Sequence, residues 1–310
     1  FAATDECADS AAEIAKKIEQ VKCLIKEQAP QADFSDSKSY KTVFSGFSFA
    51  APYSSMELLR NIPEVVSVSV AGVQKLNTVK SKAADDYTKA KNYYTKSGIN
   101  PYKAYELGYT GKNTTIAVID TGFRTTHEAF SVDPPQQKYD KNTIKMISEN
   151  IGLNSGQYVS PDDMYVSGKI PYAFDYAEND TDVFEITNLH GTHVAGIAAG
   201  NNGKTGENEF KGSAYDAQLL LMKAGLSNDI FSEDALIAAV DDAVALGADV
   251  INLSLGNSRG FSVNMDYIFT KTVQNAAKVG SFFSSAGGND GIYHSDIGIA
   301  MNSGTVDYGT

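Results

Sequence analysis

The 310-residue chain is 42% hydrophobic and 21% charged, enough apolar material to bury a core and too much for a disordered polymer. Its formal net charge of −12 argues against a nucleic-acid partner, because phosphate binding needs a basic face. No stretch approaches the ~18 apolar residues of a membrane span, and the length is that of about two domains at roughly 150 residues each.

Ala11–Gln28 sets Ile14, Ile18, Val21, Leu24 and Ile25 at helical spacing among Lys and Glu, which predicts an amphipathic helix ended by Pro30. In Tyr40–Ala51, Phe47 and Phe49 alternate with Ser48, as in a half-buried strand. Ser54 and Ser55 are candidate N-caps of a short helix through Asn61, and Val65–Val73 alternates as a second strand. Helix–strand–helix–strand describes a small α+β module whose partner strand is expected before Phe1, so the chain is expected to begin inside it. Cys7 and Cys23 lack zinc-ligand spacing and are either two thiols or one local disulfide. Lys75–Lys96 carries six Lys with almost no apolar periodicity, an exposed linker open to cleavage or a solvated helix.

Charge marks the same division. Residues 1–96 hold 13 basic and 12 acidic residues, whereas residues 97–310 hold 13 and 26. From Asn100 the pattern becomes α/β. Pro101–Leu107 suggests a short helix, and Thr114–Asp120 is a continuous apolar run of the kind buried in parallel sheets. Phe123–Leu189 reads as a long polar stretch. After it come a helix from His190, the run Ala217–Lys223, a Ser232-capped helix to Leu246, a strand at Val250–Leu255, a helix at Met265–Val279 and a strand at Ser281–Ser285. Alternation of this kind predicts a parallel sheet covered on both faces.

The chemistry centres on Asn188–Gly200, N-L-H-G-T-H-V-A-G-I-A-A-G. His190 stands at the expected first helical turn, where the dipole disfavours imidazolium, and the small residues that follow allow close backbone packing. Asp120 ends a strand with Gly122 behind it, leaving its carboxylate facing the crevice where functional groups of parallel sheets collect. Such an Asp would hold one ring nitrogen of His190, fix its tautomer and stabilise the imidazolium. At another strand end, Asn289 can offer its amide to a developing oxyanion. Ser254, in N-L-S-L-G, leaves backbone groups free to pair with an extended peptide. His193 is assigned no role and is expected to be packed or supporting. His127 and His294 are expected in loops, Asp175, Asp180 and Asp182 in a solvated loop, and Asn201–Phe210 in a turn. As a metal site, His190 and His193 lack the glutamate and four-residue spacing of zincins.

D-T-G at Asp120, H-G-T-H-V-A-G at His190, S-L-G at Ser254 and G-N ending at Asn289 together resemble the subtilisin-like serine proteases over residues 99–310. The resemblance implies an α/β subtilisin-like parallel sheet with helices on both faces. It implies Asp120 and His190 as triad members, Asn289 as the oxyanion-hole amide, and Ser254, Leu255, Gly256, Ser285, Ala286 and Gly287 as the lining of the cleft. It implies that residues 1–76 are an inhibitory propeptide lacking its first strand and that residues 77–98 are a linker with the processing region. Protein or peptide substrates and a secreted or cell-envelope location follow, with a signal peptide taken to lie upstream of residue 1. Lys169–Ala177, K-I-P-Y-A-F-D-Y-A, narrows the resemblance toward lactocepin-type cell-envelope proteinases.

One departure is decisive. The family's nucleophile sits in a G-T-S-M-A-type motif beyond the oxyanion Asn, and neither Ser295 nor Ser303 stands in one. The chain is therefore expected to stop before its nucleophile and to be inactive as it stands. It is also expected to be insoluble or molten, with Ile251 and Phe283 losing partners on an uncovered face. No cofactor is expected apart from a calcium ion, left open with no site identified; Ala129 occupies the position nine after Asp120 where the family often has an acidic calcium ligand. A non-catalytic binding module of the same fold and a metal-dependent hydrolase are the competing readings.

Overall fold

A computed structural model describes residues 10–75, 101–185, 188–226, 230–255 and 268–286. The N-terminal module opens with helix α1 (Ala11–Gln28), started by a reciprocal capping box between Ser10 and Glu13. Its Ile14, Ile18, Val21 and Ile25 form one buried stripe, which packs with Phe47, Leu59, Ile62 and Val65 into a small core. The strand expected over Tyr40–Ala51 is instead a short antiparallel pair, β1 (Ser39–Tyr40) and β2 (Gly46–Phe47). The reason is packing: Tyr40, Val43 and Phe44 leave the module and join the larger core of the second domain. Helix α2 (Met56–Arg60) follows a 3-10 turn, and Ser55 makes no side-chain cap. Of the predicted Val65–Val73 strand, only Val73 lies in a strand, β3 (Val73–Lys75). Val66 and Val70 are exposed, with no apolar face to hold an alternating run in register.

The second domain runs α3 (Tyr102–Glu106), β4 (Thr115–Asp120), α4 (Lys141–Ile147), β5 (Tyr172–Asp175), α5 (His190–Ala199), β6 (Gln218–Lys223), β7 (Gly225–Leu226) and β8 (Ile230–Ser232). It continues through α6 (Glu233–Ala245), β9 (Val250–Leu253), α7 (Ile268–Lys278) and β10 (Phe282–Ser285). Five strands form a parallel sheet in the order β10-β9-β4-β6-β5, while β3, β8 and β7 make a small antiparallel sheet. Strands β4 and β6 are buried along their whole length, as continuous apolar runs require. Ile116, Val118, Leu219 and Leu221 face the α5 side, and Ala117, Ile119, Leu220 and Met222 face α6 and α7. Ile251 and Phe283, expected to lose partners, are only 0% and 8% exposed because they share the core that contains residues of α6 and α7.

The Phe123–Leu189 stretch hides the edge strand β5, four residues long and too short to show a period. The K-I-P-Y-A-F-D-Y-A motif is this strand and its anchors. Lys169, completely buried, donates to the carbonyls of Tyr215 (2.9 Å) and Ala217 (2.6 Å), tying the start of β5 to the start of β6. Burial lowers its pKa to about 8.

Candidate active site

Asp120 is the last residue of β4 and is completely buried. Thr121 donates to its Oδ1 through the backbone N–H (2.7 Å) and the hydroxyl (3.1 Å). Gly122, at φ +150°, then turns the chain; a Cβ there would lie 2.6 Å from that of Glu185. Helix α5 starts at His190, whose backbone N–H is taken by the Asn188 side chain (2.9 Å), since Leu189 in the cap position has no acceptor. At Gly191 a Cβ would meet the Gly122 carbonyl at 2.5 Å and the Asp120 Cβ at 2.9 Å. Glycine at that point lets the first turn of α5 press directly on the end of β4.

The outcome of this contact is a hydrogen bond of 2.8 Å between His190 Nδ1 and Asp120 Oδ1, across 70 residues of sequence. The His190 side chain is 21% exposed and the Asp120 side chain 0%, so the carboxylate lies beneath a ring that reaches solvent. With Nδ1–H donated to the carboxylate, Nε2 is left as the acceptor, and the buried negative charge favours imidazolium when a proton arrives.

The carboxyl edge of the sheet holds a second pair. Register aligns Asp120 with Lys223 and Lys223 with Asp175, and Lys223 Nζ lies 2.6 Å from Asp175 Oδ2. Burial works against the Lys223 ammonium, but the hydrogen bond and charge of Asp175 outweigh it and hold its pKa above the ordinary lysine value. Asp175 is thus corrected from a solvated loop residue to half of a buried ion pair, with Ala177 N and Glu178 N also donating to it. Lys223 was missed; its signal is a lone charge closing an apolar run. Asp182 is exposed and Asp180 half-buried, as loop residues.

Ser254 and Leu255 follow β9, with Asn252 Nδ2 donating to Ser254 Oγ (2.9 Å) and Leu255 buried. Ser285 ends β10, and Ala286 N donates to the Leu253 carbonyl (3.2 Å). All four stand at the same carboxyl edge as Asp120. Gly256, Gly287, Asn289, His294, Ser295, Ser303, Cys7 and the linker lie outside the described residues. Cys23 is exposed and bonded to no cysteine among the described residues. His193, expected to be packed or supporting, is exposed on α5. Partial desolvation, then the His190 charge, lowers its pKa. His127 caps the turn Glu128–Phe130 through Nδ1, and Ala129 is buried. Among the described residues no three His, Cys, Asp or Glu side chains converge as a metal site, and no helix is long and apolar enough to cross a membrane.

Fold and site together define an α/β protein with a hydrogen-bonded Asp–His pair at the carboxyl edge of a parallel sheet. Residues 111–309 match the Subtilase family, Peptidase_S8, and the chain belongs to that family. It is similar to the PI-type proteinase of Lactococcus lactis subsp. cremoris, at 29% identity over 263 residues, covering 82% of this chain and 12% of the relative. The Minor extracellular protease Vpr of Bacillus subtilis (strain 168) is 30% identical over 265 residues, 82% of this chain and 28% of its own length. The C5a peptidase of Streptococcus pyogenes serotype M3 (strain ATCC BAA-595 / MGAS315) is 30% identical over 212 residues, 64% and 17%. The chain thus spans about one eighth to one quarter of the length of these relatives.

Proposed function

We propose that the chain carries part of a secreted serine endopeptidase in zymogen form, with Asp120 and His190 as two members of an Asp-His-Ser triad. The 2.8 Å contact between His190 Nδ1 and Asp120 Oδ1 carries this reading. Asp120 holds the ring, and Nε2 takes the proton of a serine hydroxyl as that oxygen attacks the scissile carbonyl. The imidazolium then returns the proton to the leaving amine. The serine lies outside residues 1–310, and Asn289 supplies the oxyanion-hole amide. Residues Ser254–Gly256 and Ser285–Gly287 hold the extended substrate.

Residues 10–75 act as the intramolecular inhibitor. Support comes from β3, which adds to β8 and β7, with Gly225 of β7 packed against Thr121 beside Asp120; a Cβ on Gly225 would lie 2.9 Å from the Thr121 Cα. The module therefore ends in a strand delivered toward the carboxyl edge. The names of the relatives support protein substrates and an extracellular location.

The test uses the full-length protein that contains this chain. A fluorophosphonate should label one serine and abolish hydrolysis of an unfolded protein substrate, and His190→Ala should lose both labelling and hydrolysis. A wild-type protein that neither labels nor hydrolyses would favour the non-catalytic binding module.

A further inference from the structure

The row of side chains at the carboxyl edge continues past Asp120. Strand register sets Asp120 beside Lys223 and Lys223 beside Asp175. All three point to the α5 side, because Ile119, Met222 and Phe174 before them belong to the core on the other face and side chains alternate along a strand. Lys223 and Asp175 are 5% and 0% exposed, and neither has a part in the proton transfers above. A buried ion pair adds little stability over an apolar pair of similar size, so stability alone does not account for this one.

What Asp175 holds does account for it. Its Oδ2 meets Lys223 Nζ at 2.6 Å, while Oδ1 accepts from Ala177 N (2.8 Å) and Glu178 N (3.2 Å). Asp175 N donates to the Asp180 carbonyl (2.8 Å), and Tyr176 N to the Lys223 carbonyl (2.7 Å). Residues 175–180 are thereby closed on themselves and tied to the end of β6. The chain next delivers Val183, buried with Phe123, and the Val183 carbonyl accepts from Phe123 N (2.7 Å). Glu185 then covers Gly122: a Cβ on Gly122 would lie 2.6 Å from that of Glu185 and 3.1 Å from the Val183 carbonyl oxygen.

The turn held in this way is the surface on which α5 begins. A Cβ on Gly191 would lie 2.5 Å from the Gly122 carbonyl and 3.0 Å from the Phe123 ring. Arg124 N donates to Thr192 Oγ1 (2.8 Å). The two residues after His190 thus rest on residues 122–124, and those rest in turn on residues 183–185.

We infer that Lys223 is a positioning residue: by anchoring Asp175 it holds the 175–185 segment against Gly122 and Phe123, and through them sets the contact of His190 with Asp120. Its consequence for hydrolysis rests on the reading of Asp120 and His190 as triad members; its effect on the His190 ring does not.

The test uses the full-length protein that contains this chain, with Lys223→Met and Asp175→Asn combined so that no charge is left buried alone. The melting temperature should stay close to that of the wild type. In contrast, kcat should fall by about 10–100-fold with little change in KM, since a misplacement near 1 Å suffices for such a loss. The pKa of His190, read from the pH dependence of its modification by diethyl pyrocarbonate, should fall by about one unit as the Asp120 contact loosens. The sign separates positioning from charge. Lys223 stands one strand nearer to His190 than Asp175 does, so removing the pair's charges alone would raise that pKa. An unmoved or raised His190 pKa would overturn the assignment, whatever the rate. Should the double variant misfold, Val183→Ala loosens the same segment at its far end without altering a charge, and decides by the same readout. A wild type that hydrolyses nothing would remove the protease reading and leave the pKa comparison standing.

Discussion

Two of the places where the described residues bury carboxylates treat them in opposite ways. At the carboxyl edge, Asp120 Oδ1 takes all three donors, two from Thr121 and one from His190, and Oδ2 has no partner among the described residues. On α6, Asp241 and Asp242 are covered by backbone N–H groups, an amide and a phenol. The partner that can change its protonation state and also reaches solvent is His190. Burial is common to both places, so burial does not distinguish chemistry from a lock. The distinction is whether the partner can carry a proton away.

The largest expected effect tests that distinction directly. In the full-length protein, His190→Ala should lower kcat/KM by at least about 10²–10⁴-fold with little change in melting temperature. A rate within tenfold of wild type would make the edge pair structural and dissolve the contrast with α6. Next comes Lys223→Met, which strands Asp175 as a buried charge and should cost about 3–5 kcal/mol in urea unfolding. Adding Asp175→Asn should recover most of that loss, since a neutral pair leaves no charge uncompensated.

Gly191→Ala sharpens the geometric side of the comparison. The added Cβ meets the Gly122 carbonyl at 2.5 Å, so the first turn of α5 must shift. A displacement near 1 Å should cost about 10²-fold in kcat, while retention of the N-terminal module on α6, read by size exclusion after cleavage between residues 76 and 100, stays unchanged.

The remaining prediction concerns pH. Burial raises the Asp241 pKa to about 7 in the docked state, against the pull of the Val43, Lys41 and Thr42 N–H groups and with Asp242 adding to the rise. An exposed carboxylate titrates near 3.9, so docking takes up a proton between roughly pH 4 and 7. Retention should be strongest at the acid end of that window and weaken as pH rises through it, by at most about tenfold per unit. Asp241→Asn should flatten the slope. A profile that strengthens with rising pH would show that the backbone donors, rather than burial, dominate this carboxyl.

Much of the site was legible because its signals are local. The apolar run ending in V-I-D-T-G and the small-residue helix opening at His190 each announce their own element, and the Asp–His pairing follows once both lie at the edge of one sheet. Strand β5 was not legible, because four residues between Pro171 and a turn show no period. Asp175 passed for a loop acid because its partner, Lys223, lies 48 residues away. Tyr40–Ala51 was misread as one strand: Tyr40, Val43 and Phe44 join the core of the second domain, whereas Phe47 stays in that of the N-terminal module.

By itself the sequence determined the helices with long periodic faces, the fully buried strands β4 and β6, and the placing of Asp120 at a strand end and His190 at a helix start. Tertiary structure alone decided which buried charges would be paired, which carboxylate would meet backbone donors, and where the module would dock. Those outcomes depend on contacts spanning 48, 115 and 200 residues, from Lys223 to Asp175, Ser39 to Asn154 and Lys41 to Asp241. A charged side chain carries no local mark of the partner that will compensate its desolvation, because that partner is chosen only when the chain has closed around both.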